Sequence, residues 1–96
     1  MSRAWVCTEL SEDLSGLHLQ QRPLPTCGPG QLSVDVHAAA LNFPDLLMTR
    51  GRYQLKPPLP FVVGMEGAGV VRSVGPDVKD WTTGQRVCFS TRHGAF

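Results

Sequence analysis

No stretch of this sequence is apolar for the roughly 20 residues that a membrane-crossing helix takes. An excess of charge of either sign is also missing. Nine basic residues against eight acidic ones leave +1, and no basic cluster offers the footprint that nucleic acid or anionic lipid needs. The opening MSRAWVCTEL has an Arg but no apolar run with a small-residue cleavage site. It does not read as a secretory signal, so a cytoplasmic address is expected. Paired metal ligands are lacking too. Cys7, Cys27 and Cys88 form no Cys-x-x-Cys pair and have no His at ligand spacing. They read as free thiols in a reducing compartment. His18, His37 and His93 are equally scattered and read as surface or strand-edge residues. There is no internal repeat, no linker, and no βαβ unit that would hold a dinucleotide.

What is present is one domain's worth of chain. Ninety-six residues, 42% hydrophobic and 18% charged, suffice for a single globular core. The chain is organised around Leu59–Val87, where Gly64, Gly67 and Gly69 lead into Val70, Val71 and Val74. Glycines in a β-branched run mark a place where a backbone or a ligand comes close. They are not a dinucleotide fingerprint, which runs Gly-x-Gly-x-x-Gly from a strand into a helix. Here the order is Gly-x-x-Gly-x-Gly and a strand follows, so crowded strand packing is the favoured reading.

Around that stretch the pattern is of short strands and turns. Arg3–Thr8 is rich in β-formers and reads as a first strand. A polar hairpin-type connection, Glu9–Gly16, leads to a second strand over Leu17–Gln21, whose alternation predicts one buried face and which Pro23 and Pro25 end. Leu32–Ala38 alternates Leu32, Val34, Val36 and Ala38 with Ser33, Asp35 and His37, which predicts a strand with one buried face. The alternation stops at Ala39-Ala40-Leu41, which predicts burial on both sides or a bend towards a site. Asn42 suits a helix N-cap, Pro44 a first turn and Asp45 the positive end of a helix dipole. A short helix over Asp45–Arg50 would stop at Gly51. The proline-rich Arg52–Pro60 is a surface loop. Turns at Val74–Val78 and Trp81–Gly84 precede a strand over Gln85–Ser90, and Thr91–Phe96 reads as a turn entering a further strand. Short strands between Gly and Pro turns, with one helix, indicate a mainly β fold, a small barrel or sandwich.

Several linked motifs carry a family resemblance. Asn42-x-x-Asp45, Pro58-x-Pro60, Gly64-x-Glu66-x-x-Gly69-x-Val71, Val74-Gly75, Val78 and Gly84-x-x-Val87 occur in order. Together they resemble the N-terminal domain of the medium-chain dehydrogenase/reductases, above all the zinc-free quinone oxidoreductases, the group that includes zeta-crystallin. The resemblance implies a GroES-like, partly open β-barrel over residues 1–96. It also implies that this domain stops short of its last strands and of the nucleotide-binding Rossmann domain. In the similar zinc alcohol dehydrogenases, a Cys three residues before an Asp and a His between Gly and Glu hold the metal. Here those positions are Asn42 and Met65. An amide and a thioether cannot replace a thiolate and an imidazole on zinc, so no metal site is expected.

The implied activity is transfer of a hydride from NADPH to a quinone or small conjugated carbonyl, without zinc. The implied parent protein is a homo-oligomer, and this chain alone is expected to be inactive. By the same resemblance Asn42 is a catalytic and cofactor-binding residue, Asp45 a cofactor-binding residue and Tyr53 a catalytic phenol. From the residues alone, Asn42 is equally a helix N-cap, Asp45 a helix-dipole carboxylate and Tyr53 a packing aromatic. Leu47 stands where some members carry a second tyrosine, and Glu66 reads as a structural partner. The alternative is a non-enzymatic GroES-like barrel that oligomerises or docks on a partner through Arg52–Pro60. A third reading is a truncated, inactive product whose unpaired strand edge favours aggregation.

Overall fold

The computed structural model describes residues 2–96. Among them the chain forms β1 (Ser2–Cys7), β2 (Leu17–Arg22), β3 (Leu32–Ala40), α1 (Phe43–Thr49), β4 (Phe61–Val62), β5 (Glu66–Val74) and β6 (Arg86–Ser90). The strands make two antiparallel sheets, ordered β2-β1-β4 and β3-β5-β6.

In the first sheet, β1 and β2 pair from Ser2 opposite Arg22 to Cys7 opposite Leu17. The connecting loop is closed by the Thr8 N–H donating to the Gly16 carbonyl at 2.8 Å. The other edge of β1 takes only the two residues of β4, Phe61 opposite Cys7 and Val62 opposite Val6. Proline cannot donate into a ladder, so Pro57, Pro58 and Pro60 keep the preceding loop out of the sheet. This short strand was not legible in the sequence.

In the second sheet, β3 lies along β5 from Leu32 opposite Val74 to Ala40 opposite Glu66, with register shifts after Ser33 and Val36. The glycines explain how the strands approach. A Cβ on Gly69 would overlap the Asp35 carbonyl oxygen across the ladder, and one on Gly67 would press on the Phe89 ring. Crowded strand packing is therefore what these glycines serve.

The last residues join the two sheets. The Thr91 N–H donates to the Met65 carbonyl at 2.7 Å and the Ala95 N–H to the Gly64 carbonyl at 3.1 Å. Beyond them the Phe96 N–H reaches the Val63 carbonyl at 2.8 Å, and the Phe96 carbonyl accepts from the Trp5 N–H at 3.3 Å. The expected further strand appears only as these scattered backbone bonds. The barrel is partly open, with one short helix, as the resemblance implied. Its core is Cys7, Met48, Phe61 and Val63, with Leu17, Tyr53, Leu55, Met65 and Phe96 packed against it.

One expectation of burial is corrected, and a choice between two alternatives is decided. The apolar faces predicted for β2 and β3 are largely uncovered: Leu19 is 48% exposed and Val36 44%. Alternation reports which side a residue faces, and among the described residues no second layer lies over these faces. Ala39, Ala40 and Leu41 are not buried on both sides either; Leu41 is 84% exposed. The chain bends there instead, from β3 into α1. That helix starts at Phe43, two residues before the expected Asp45, and Gly51 ends it with φ +68°.

Candidate functional site

Asn42 sits where β3 gives way to α1, as the helix N-cap. Its backbone N–H donates to the Asp45 carboxylate (Oδ2) at 2.8 Å, and its carbonyl accepts from the Asp45 N–H at 3.1 Å. This is the reciprocal arm of a capping box, which fixes the angle at which the strand enters the helix. The Asn42 side chain then points to β5. Its Nδ2 donates to the Glu66 carboxylate (Oε2) at 3.0 Å and to the Ala40 carbonyl at 3.3 Å. A carboxylate only accepts, so Glu66 dictates that the amide nitrogen faces it. Both amide hydrogens are thus engaged.

Two depressions open to solvent lie on this side of the fold, one of them at the pair. One, of about 380 Å³, is lined by Asn42, Pro44, Met65, Glu66, Thr91 and Arg92, with Ser90 beside them. The other, of about 340 Å³, is lined by Tyr53, Gln54, Leu55, Met65 and Arg92. Met65 and Arg92 belong to both, so the two form adjoining halves of one cleft. The structure thereby places Asn42 on one half and Tyr53 on the other. Tyr53 also packs against the core, as does Met65, so its ring both packs and lines the cleft. Asp45 is separate from the cleft surface. It is only 4% exposed, its Oδ2 is occupied by Asn42, and its Oδ1 is buried with no partner.

Zinc does not fit the residues of this cleft. The donors are an amide, a thioether and a carboxylate already bonded to the amide, which is not the nitrogen and sulfur set that zinc selects. Among the described residues no three His, Cys, Asp or Glu side chains come together. Asn42, which lines this depression, carries an amide oxygen of the kind that accepts an N–H from a carboxamide.

The alcohol dehydrogenase GroES-like domain family matches residues 28–95, from the turn before β3 to the end of the cleft. The chain belongs to that family. It is 49% identical over 85 residues to quinone oxidoreductase-like protein 2 of Rattus norvegicus, covering 88% of this chain and 23% of that protein. It is 50% identical over 78 residues to the synaptic vesicle membrane protein VAT-1 homolog of Homo sapiens, covering 79% of this chain and 20% of that protein. The crystal structure of Escherichia coli quinone oxidoreductase complexed with NADPH superposes with a TM-score of 0.89 at 27% identity. That match covers 98% of this chain and 28% of the other. The chain thus spans about a quarter of the length of the relatives it matches. No helix is long and apolar enough to cross a membrane among the described residues.

Arg92 is the cleft residue that sequence reasoning missed. Nothing in Thr91–Phe96 marks it as more than part of a turn. Its position follows from the register: Ser90 pairs with Glu66, and the Thr91 N–H then bonds the Met65 carbonyl, so Arg92 comes up beside Met65.

Proposed function

We propose that this chain is the substrate-side domain of an NADPH-dependent quinone or enone oxidoreductase that works without zinc. The observation that carries the reading is the Asn42–Glu66 pair at the lip of the cleft. NADPH, when bound, supplies the hydride. The chain's own residues provide orientation and a partly apolar wall. Asn42, on the lip of the cleft, would offer its amide oxygen to a carboxamide N–H. Asp45 acts behind it, clamping the Asn42 backbone. Steadying a negative oxygen with the Asn42 N–H would first require release of Glu66 or Ala40, so orienting the cofactor is the favoured role. Tyr53 offers a ring for stacking and a phenol for an acceptor's oxygen. The Met65 thioether gives the floor between them a soft, adaptable surface.

Similarity to quinone oxidoreductase-like protein 2 and to the NADPH complex from Escherichia coli supports the chemistry. Among the described residues there is no Rossmann unit, so we infer that hydride transfer needs a nucleotide-binding domain supplied with this one. The test is NADPH oxidation in the presence of a quinone, for this chain and for a version extended by a Rossmann domain. Turnover is expected only from the extended protein, and replacing Asn42 with Ala there should slow it about tenfold, the value of one or two hydrogen bonds. Turnover by the 96-residue chain alone would overturn the proposal.

A further inference from the structure

The geometry points to Arg92 as a specificity-determining residue that makes the Tyr53 half of the cleft select acceptors bearing an anionic substituent; this rests on reading the cleft as the acceptor site. The two halves differ in charge. On the Asn42 side Arg92 shares the space with the Glu66 carboxylate. On the Tyr53 side the walls are Tyr53, Leu55 and Met65 with the Gln54 amide, and Arg92 is the one charged residue. Among the described residues Arg3, Arg22, Arg86 and Arg92 pair with no carboxylate, and of these Arg92 is the one that lines the cleft. The residue before it is anchored by the Thr91–Met65 bond of 2.7 Å, so the guanidinium is carried next to Met65, which lines both halves. A planar fork of donors next to aromatic and aliphatic walls matches an apolar ring that carries a sulfonate or carboxylate. The ring would lie on Tyr53, Leu55 and Met65, its anionic group on Arg92, and its reducible carbonyl towards Asn42.

Two probes that do not react with thiols separate charge from shape: anthraquinone-2-sulfonate and the uncharged 2-(hydroxymethyl)anthraquinone. Titrated into the 96-residue chain and followed by amide chemical shifts, both should perturb Tyr53 and Met65. The sulfonate should bind about threefold to fivefold more tightly, the range of a solvent-exposed ion pair, and lose that margin in high salt. Arg92→Gln should bring the two affinities together without weakening the uncharged probe. Arg92→Lys should keep part of the preference, and Arg86→Gln, outside the cleft, all of it. Equal affinities in the unaltered chain, or a preference that survives Arg92→Gln, overturn the role of Arg92 and leave the acceptor-site reading standing. Binding of neither probe overturns both.

Discussion

Asp45 shows how one residue's roles divide between sequence and structure. Its position after Asn42 and Pro44 is that of a helix-dipole carboxylate, and the bond it makes is to the Asn42 backbone N–H. Its burial was not legible, because a polar residue in a first helical turn is usually wet. Replacing Asp45 with Ala frees a backbone donor at the helix start and should cost about 1 kcal/mol in urea unfolding. Asp45→Asn should cost less, since an amide oxygen still accepts. The cysteines give a second prediction. Cys88 is exposed, Cys27 half-buried and Cys7 fully buried. A disulfide reagent should therefore modify Cys88 first and Cys7 only on unfolding. Burial pushes the Cys7 thiol above its ordinary value of 9.0. The folded state thus holds that proton more tightly than the unfolded chain does. Its contribution to stability is complete below the unfolded value and fades as pH rises through the folded one. Unfolding free energies measured upward from about pH 8 should decline, and Cys7→Ala should flatten that decline.

At the scale of elements, the sequence was most informative where neighbours in the chain decide the outcome. The alternation in Leu32–Ala38 marks β3, and Asn42, Pro44 and Gly51 frame α1. Pairing between distant segments was less visible. β4 is two residues long and exists because Phe61 meets Cys7 across a gap no local pattern encodes. Arg92 was hidden for the same reason, since only the β5–β6 register brings it to Met65. The glycines of β5 lie between these cases: their spacing announced a close approach, and the structure names Asp35 and Phe89 as what approaches. Gly69→Ala should force β3 and β5 apart and cost about 1–3 kcal/mol, read from the urea midpoint. Gly84→Ala should leave the packing undisturbed, as nothing stands within 4 Å of the new methyl. Its φ of +92° instead makes the cost one of backbone strain.

For the molecule as a whole, the uncovered faces of β2 and β3 explain why composition alone could suggest a core but not its extent. The packed centre lies where α1, β1, β4 and residues 91–96 meet, and the cleft forms along that seam. Asn42 and Tyr53, eleven positions apart, become neighbours of one cleft because Met65 lies between its halves.

The bond between Trp5 and Phe96 has a topological consequence. Segments from opposite extremes of the numbering lie side by side, so a linker of about four residues, spanning some 13 Å when extended, could splice position 96 to position 2. A circular permutant reopened between the exposed Lys79 and Asp80 should keep the same β-rich circular dichroism and the same cleft amide shifts.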